Sequence, residues 1–256
     1  MIPVIVCIAK KEQDYIKEFV DYHLGIGFKK IYLYDNEDEP FYESFLNNKN
    51  VIVTHMPFNN FHKGIQYIAL DHFVSTYMKD ATHVAHIDID EYIVLKKHKN
   101  IEKFINEYII GDCQGIGMNW RFFGSSGHTE KKNEPITERF TMCEEKGNQH
   151  IKTLFKTKYF KGFNTVHDVY FTKGFTKATN GTLITGPFNQ EIDFSIIQLN
   201  HYKCKTLPEY RSIRQRGRAD VTGIPENVDE DFKVYDKNEI EDLSAKIKFQ
   251  CLTNHV

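Results

Sequence analysis

This 256-residue sequence has few cysteines, and those it has lie far apart. No two of them form a C-x-x-C pair, which argues against a thiolate zinc site. Their odd number and their scatter also argue against a disulfide framework and fit a reducing compartment. The five are Cys7, Cys113, Cys143, Cys204 and Cys251.

Long apolar runs and an excess of one charge are also missing. No apolar run approaches the roughly 20 residues that span a bilayer, so we expect no integral membrane segment. The formal net charge is −2, which gives no general attraction to nucleic acid. The chain enters a strand directly after Met1 without a charged segment, so we expect no signal peptide and a cytoplasmic location.

Apolar periodicity predicts strands and helices in alternation over the first 90 residues. The predicted strands are residues 4–9, 30–34, 51–55 and 82–87, and the predicted helices are residues 12–24, 41–48 and 64–78. Strands joined by helices are normally parallel neighbours in one sheet. With 41% hydrophobic residues, the sequence therefore predicts an α/β domain with a sizeable core.

The second half has a less regular order of elements. The predicted strands are 115–120, 151–159, 169–172 and 196–199, and the predicted helices are 101–108 and the basic segment 207–217. Weaker helical patterns follow over residues 229–256. Because no linker or repeat interrupts the chain, we predict one domain over residues 1–220, with a C-terminal helical extension, residues 221–256, packed on it.

Three carboxylates, Asp88, Asp90 and Glu91, directly follow the apolar run at 82–87. Carboxylates this close repel one another unless a cation lies between them, and a divalent cation that prefers oxygen ligands fits that place. Ligands of open α/β sheets bind at the carboxyl ends of the strands. The pattern therefore predicts a metal-bridged nucleoside diphosphate, whereas a lone Asp-x-Asp is also compatible with a solvated acidic turn.

A second polar group follows the apolar run at 196–199. His201 is a candidate third ligand for Mn²⁺ or Mg²⁺, because neutral imidazole binds such ions. Lys203 and Lys205 alternate with it and are candidates for binding the diphosphate. The alternative is a partly buried strand histidine with solvated lysines. Arg216 and Arg218 are either further diphosphate ligands or part of a solvated basic helix face.

Several short motifs occur in one order through most of the chain. They are Cys7-Ile8-Ala9-Lys10-Lys11-Glu12, Tyr34-Asp35-Asn36, Asp88-Ile89-Asp90-Glu91-Tyr92, Asn119-Trp120-Arg121, Phe123-Gly124-Ser125-Ser126-Gly127-His128 and Asn200-His201-Tyr202. From about residue 4 to about residue 220, this order resembles family-2-like and family-92-like glycosyltransferases. The sequence departs from their pattern at Lys11, where asparagine is more usual, and at Cys204.

The resemblance implies a GT-A fold, which is a Rossmann-like, nucleotide-sugar-binding mixed sheet flanked by helices. It implies metal-dependent, inverting transfer of a sugar from a UDP-sugar to a hydroxyl of a saccharide or other acceptor. The expected partners are thus the donor, the acceptor and Mn²⁺ or Mg²⁺. Asp35 stands where the similar enzymes contact the uracil or ribose, and an Asx-turn that closes the strand is the alternative.

The motifs give a set of predicted site residues. The predicted metal ligands are Asp88, Asp90 and His201; the predicted donor-binding residues are Ala9, Glu12, Asp35, Asn36, Asp88, Lys203 and Lys205; the predicted catalytic residues are Asp168 and Glu91. Asp168 is our choice for the general base that an inverting transfer needs, because it lies in a predicted pocket loop, and His167 and Glu191 stay open. Glu12 and Glu91 also fit ordinary carboxylates at helix starts. Residues 120–128 are predicted to line the acceptor or sugar pocket.

Two other classes of function use similar residues. A sugar-phosphate nucleotidyltransferase would carry a glycine-rich, basic turn after the first strand to bind a triphosphate, and residues 9–12 contain no glycine. A non-catalytic nucleotide-sugar-binding module would not need the full set of Asp88, Asp90 and His201. The residues therefore favour a glycosyltransferase over both.

Overall fold

Strands and helices alternate through the first half of the chain, as the apolar periodicity predicts. The computed structural model describes residues 1–57, 64–215 and 227–253. The strands are β1 (Pro3–Ala9), β2 (Lys30–Asp35), β3 (Val51–His55), β4 (His83–His86), β5 (Glu91–Leu95), β6 (Cys113–Phe122), β7 (Met142–Cys143), β8 (Ile151–Lys156), β9 (Phe160–Phe163), β10 (Val169–Phe171), β11 (Phe175–Lys177), β12 (Leu183–Ile184), β13 (Ile197–His201) and β14 (Ile240–Glu241). The helices are α1 (Ile16–Gly25), α2 (Tyr42–Leu46), α3 (Ile65–Thr76), α4 (Ile101–Tyr108), α5 (Ile136–Arg139), α6 (Leu207–Gln215), α7 (Val228–Tyr235) and α8 (Ser244–Thr253), with short 3-10 turns at Met78–Asp80 and Thr157–Tyr159.

Within the described residues, the largest sheet has ten strands. Eight follow the order β12-β11-β6-β8-β4-β1-β2-β3, and β13 pairs with both β6 and β5. β1 is parallel to β2 and β4, whereas β8 is antiparallel to its neighbours β4 and β6. The predicted α/β class with a mixed sheet flanked by helices is confirmed.

β1 lies at the centre of the parallel part and is covered on both faces. Successive side chains of a strand point to opposite faces of the sheet. Ile5 and Cys7 accordingly enter one apolar cluster, which includes Ile16 and Phe19 of α1, while Val4 and Val6 enter a second cluster that contains residues of α3. A strand buried on both faces needs a continuous apolar run, and this explains the sequence of residues 4–9.

The short strand β5 is absent from the sequence-based assignment. Its residues Tyr92, Ile93, Val94 and Leu95 are all buried, and it pairs antiparallel with β13. A short apolar run has no periodicity that distinguishes a strand from a buried helical turn. Asp88 and Asp90 therefore lie in a short connection between β4 and β5, and Glu91 is the first residue of β5.

The segment after α7 is tied to the sheet by Asp242. Its carboxylate accepts hydrogen bonds from Lys96 Nζ at 2.9 Å, Arg121 NH1 at 3.2 Å and Gln198 Nε2 at 3.1 Å, and α8 packs on α1, α5 and β5. The predicted boundary at residue 220 and the basic residues Arg216 and Arg218 lie outside the described residues. The division at residue 220 therefore stays a prediction.

All five cysteines are free, and only Cys251 is exposed. In the part of the chain that the structure describes, none of the helices is long and apolar enough to cross a membrane.

Glu209 on α6 joins three parts of the fold. Its carboxylate accepts hydrogen bonds from Arg139 NH2 at 2.8 Å, Tyr15 Oη at 2.7 Å and Thr206 Oγ1 at 2.6 Å, and the Arg139–Glu209 pair is buried. Burial alone would raise the pKa of Glu209. The hydrogen bonds from Arg139, Thr206 and Tyr15 outweigh it and lower the pKa to about 2.

Glu209→Gln should destabilise the protein by about 3–5 kcal/mol at pH 7, because it leaves Arg139 as a buried charge without its partner. A carboxyl with a lowered pKa in the folded state stabilises the protein above its unfolded pKa of about 4.3. That stabilisation is lost as the pH falls toward 2. The difference between wild type and variant in urea unfolding should therefore shrink below about pH 4.3.

The exposed Glu43→Gln exchange is the matched control and should change stability little at any pH. If the Glu209→Gln difference stayed constant between pH 7 and pH 3, the ionised carboxylate would not be the stabilising group.

Candidate active site

The pairing of β13 with β5 brings His201 to the acidic turn. His201 stands opposite Glu91 in the register of the two strands, and the Tyr202 N–H donates to the Asp90 carbonyl oxygen at 2.8 Å. His201 Nε2 consequently lies 3.6 Å from Asp90 Oδ2. Two of the three predicted metal ligands thus meet at the edge of the sheet where the parallel strands end.

Asp90 and His201 offer a donor set that suits a divalent cation. Burial lowers the pKa of His201 more strongly than Asp90 raises it, so the imidazole is held in the neutral form that binds metal. One carboxylate and one imidazole match Mn²⁺, and Mg²⁺ sites of this kind use one or two carboxylates completed by substrate phosphates and water. Among residues 1–57, 64–215 and 227–253, no three His, Cys, Asp or Glu side chains are grouped to hold a metal ion. A metal bound here would take its remaining ligands from a phosphate-bearing substrate and from water.

Asp88, the other predicted metal ligand, is already engaged by two side chains. Its Oδ2 accepts a hydrogen bond from Lys152 Nζ at 3.2 Å, and its Oδ1 accepts one from Gln66 Nε2 at 3.2 Å. Burial would raise the pKa of Asp88, but Lys152 and neighbouring groups lower it below its ordinary value. Asp88 is therefore ionised and points toward Lys152, and its role as a metal ligand stays a prediction.

Glu91 is fully buried at the start of β5. Its Oε2 accepts a hydrogen bond from the Asp88 N–H at 3.0 Å and lies 3.9 Å from Lys152 Nζ. Burial raises the pKa of Glu91 well above its ordinary value. Glu91 thus contacts the acidic turn through the Asp88 N–H. A catalytic role for Glu91 stays a prediction, and such a role would act through Asp88.

Asp35 forms the turn that the sequence allowed as an alternative to donor contact. Its carboxylate is buried and accepts hydrogen bonds from the N–H groups of Glu37 at 3.0 Å, Phe41 at 2.7 Å and Tyr42 at 3.0 Å. The next residue, Asn36, donates its N–H to the Ala9 carbonyl oxygen at 2.9 Å. A bound donor would therefore contact the backbone of the turn that Asp35 holds in place. Direct contact between the donor and the Asp35 carboxylate stays a prediction.

Glu12 lies beside this turn, four residues before the start of α1 at Ile16. Its N–H donates to Tyr42 Oη at 2.8 Å, and its carbonyl oxygen accepts from the N–H groups of Tyr15 and Ile16 at 3.0 Å. Four of the predicted donor-binding residues are thus gathered at the ends of β1 and β2. They are Ala9, Glu12, Asp35 and Asn36.

The two predicted diphosphate-binding lysines differ in environment. Lys203 Nζ lies 3.3 Å from the centroid of the Tyr235 ring. Lys205 is buried, has a backbone φ of +56° and holds its Nζ 4.5 Å from the centroid of the Tyr15 ring. Among the described residues, the Lys205 ammonium has no hydrogen-bond partner. A buried ammonium without an acceptor is unfavourable, so a bound anion would satisfy it.

Asp168, the predicted general base, holds its own loop together. Its Oδ1 accepts from Thr165 Oγ1 at 2.5 Å and its Oδ2 accepts from Asn164 Nδ2 at 2.8 Å. His167, the first alternative, points its Nδ1 at the Ile151 carbonyl oxygen at 3.0 Å. Glu191, the second, is exposed. The identity of the base therefore stays a prediction.

The predicted acceptor-lining segment divides into two parts. Trp120 contacts the site, because its ring centroid lies 4.6 Å from that of His201 and 5.1 Å from that of His167. Ser125 and Ser126 instead face the C-terminal segment, since their N–H groups donate to Asp236 Oδ1 at 2.6 Å and Asn238 Oδ1 at 2.8 Å. Only the start of this segment adjoins the metal-ligand candidates.

Lys152 on β8 was missed by the sequence analysis. It is buried next to Asp88 and Glu91 and also lies 3.5 Å from the Val166 carbonyl oxygen. The available signal is the lysine at the second position of β8, between Ile151 and the apolar residues Leu154 and Phe155, because lysine is rarely buried without a charged partner.

Comparison with known proteins assigns the chain to a family. The model of glycosyltransferase family 92 matches residues 2–232. The chain belongs to glycosyltransferase family 92. This match confirms the glycosyltransferase class predicted from the motifs, and the mixed sheet described above is the GT-A architecture which that class implies. No curated protein matches the chain in sequence.

Three solved structures show weak likenesses to this family 92 chain. The mannosyltransferase Ktr4p from S. cerevisiae is 10% identical with a TM-score of 0.31, covering 48% of this chain and 40% of its own. The bifunctional glycosyltransferase WbbM is 12% identical with a TM-score of 0.30, covering 46% of this chain and 23% of its own. UDP-glucose pyrophosphorylase with UDP-glucose is 10% identical with a TM-score of 0.32, covering 100% and 98%. The chain thus spans less than half the length of the first two proteins. Likenesses as weak as these three show nothing about the function of this chain.

Lys205→Met should stabilise the ligand-free protein by about 1–3 kcal/mol, because it removes a buried charged donor that lacks an acceptor. Thermal unfolding without ligands would show the gain as a higher Tm. Lys146→Met, at an exposed position, should leave the Tm nearly unchanged. A clear loss of stability in Lys205→Met would mean that the contact of the ammonium with Tyr15 outweighs the cost of its burial.

Proposed function

We propose that this chain transfers a sugar from a UDP-sugar to a hydroxyl of a saccharide or other acceptor, with inversion at the sugar and with Mn²⁺ or Mg²⁺ as cofactor. The observation that carries the proposal is the distance of 3.6 Å between Asp90 Oδ2 and His201 Nε2. The two side chains come from distant parts of the sequence, and they meet where open α/β sheets bind ligands.

The nucleoside diphosphate must leave with its charge neutralised, and a bound divalent cation supplies this as a Lewis acid. Asp90 and His201 would hold that cation, and Asp88 would contact it through water or contact the ribose. Lys205 supports the proposal independently, because its buried ammonium lacks a hydrogen-bond partner in the described part of the chain. In the proposed complex it donates to the diphosphate, together with Lys203.

The base of the donor would lie against the turn after β2. Asp35 fixes this turn through three backbone N–H groups, and Asn36 joins it to the end of β1 at Ala9. A rigid backbone edge can distinguish bases by their hydrogen-bonding groups. Glu12, four residues before the start of α1, completes this part of the proposed donor site.

The acceptor would approach from the side of Trp120. An inverting transfer needs a base that takes the proton of the acceptor hydroxyl, and we keep Asp168 in that role. His167 is the alternative, because its ring contacts Trp120 and Trp120 contacts His201.

Asp90→Asn should abolish or strongly weaken Mn²⁺-dependent UDP binding, since it removes the carboxylate that lies 3.6 Å from His201 Nε2. Titration calorimetry with UDP, in the presence of Mn²⁺ and again with a chelator, measures the effect. Asp112→Asn, which is exposed, should bind as the wild type does. Equal metal dependence in Asp90→Asn and wild type would remove Asp90 from the metal site.

UDP should raise the Tm more than GDP or ADP at equal concentration with Mn²⁺, because the turn at Asp35 and Asn36 is proposed to contact uracil. A purine base is larger than uracil and presents other donors and acceptors. A larger shift with GDP would indicate another donor. Equal shifts for all three would mean that the turn does not recognise the base.

A further inference from the structure

We propose that Lys152 is a built-in cation which competes with the metal for Asp88, so that Asp90 and His201 are left as the protein's metal ligands. The juxtaposition that carries this is a buried lysine whose Nζ lies 3.2 Å from Asp88 Oδ2 and 3.9 Å from Glu91 Oε2. The inference rests on the proposed function and deepens its account of the metal site.

Lys152 reaches the acidic turn from a neighbouring strand. It lies on β8, which pairs antiparallel with β4, the strand that leads into Asp88. Its side chain is only 1% exposed, compared with 33% for Asp88 and 0% for Glu91. The ammonium also donates to the Val166 carbonyl oxygen at 3.5 Å. A lysine enclosed in this way cannot move its charge into solvent.

Asp88 is ionised, and its carboxylate needs a positive charge beside it in this partly buried place. The Asp88 N–H donates to Glu91 Oε2 at 3.0 Å, so Glu91 is fixed next to Asp88 near the same ammonium. Lys152 supplies the positive charge before any metal arrives. The acidic turn is therefore partly neutralised in the protein alone.

The hydrogen bonds of Asp88 limit what it can offer a metal. Gln66 Nε2 occupies Oδ1 at 3.2 Å, and Lys152 Nζ occupies Oδ2 at 3.2 Å. Asp90 Oδ2 lies 3.6 Å from His201 Nε2, so a metal at this place would find a carboxylate and an imidazole together. A metal that bound Asp88 directly would share that carboxylate with the ammonium and would be repelled by it.

If Lys152 competes with the metal, replacing it should change the affinity for Mn²⁺ in the opposite direction from replacing a lysine that only supports the fold. Replacing Lys152 by a neutral residue should tighten the binding of Mn²⁺, because it removes a nearby positive charge and frees Asp88. A lysine that only supported the fold would, when replaced, leave Mn²⁺ affinity unchanged or weaken it.

The test uses Mn²⁺ alone, with electron paramagnetic resonance of the free ion as the readout, on the whole chain. Lys152→Met should bind Mn²⁺ about tenfold more tightly than wild type, an effect expected of a unit charge at close range in a partly buried site. Lys152→Arg, which keeps the charge, should stay within about threefold of wild type. Lys152→Gln also removes the charge but keeps hydrogen-bond donors, so it decides the question if Lys152→Met does not fold.

The outcomes separate this inference from the proposed function. If wild type binds Mn²⁺ and the neutral variants bind it equally or more weakly, the inference is overturned while the metal-dependent function stands. If wild type binds no Mn²⁺ alone but the neutral variants do, competition by Lys152 holds, and the Mn²⁺-dependent binding of UDP decides the proposed function separately. If neither binds Mn²⁺ alone, the inference is overturned, and the proposed function is again decided by the binding of UDP.

Discussion

The antiparallel pairing of β13 with β5 is the interaction on which the site depends. It sets His201 opposite Glu91 and joins the Tyr202 N–H to the Asp90 carbonyl oxygen. Because β13 also pairs with β6, the same strand brings Trp120 against His201. The acidic turn lies early in the chain and its histidine partner lies late, so the site exists only once this late strand has joined the sheet.

The sequence predicted the parallel part of the fold well, because β1 is buried on both faces and is apolar throughout, and apolar or aromatic residues also form the middle of β2 and β4. The acidic turn could be placed at a strand end for the same reason. β5 could not be identified, since a short apolar run has no diagnostic period. The place of β8 between β4 and β6 is a long-range contact, and for this reason the position of Lys152 beside Asp88 was not predictable from local patterns.

Identifying a residue from a motif differs from knowing what its side chain does. Asp35 stands at the expected strand end, yet its carboxylate binds backbone N–H groups of its own turn. Asp168 similarly binds Thr165 and Asn164 of its own loop. Lys205 shows the opposite case, because its ammonium is buried and has no hydrogen-bond partner among the residues described. Burial and local hydrogen bonds decide between such roles, and neither is visible in a single sequence.

The attachment of Asp242 has a practical consequence for making shorter versions of this protein. The family match ends at residue 232, ten positions before the carboxylate that Lys96 and Arg121 share. A truncation designed on the family boundary would leave two largely buried cations without their common anion, which typically destabilises a fold strongly. The smallest piece worth expressing therefore extends beyond Asp242, even though sequence comparison places the end of the domain earlier.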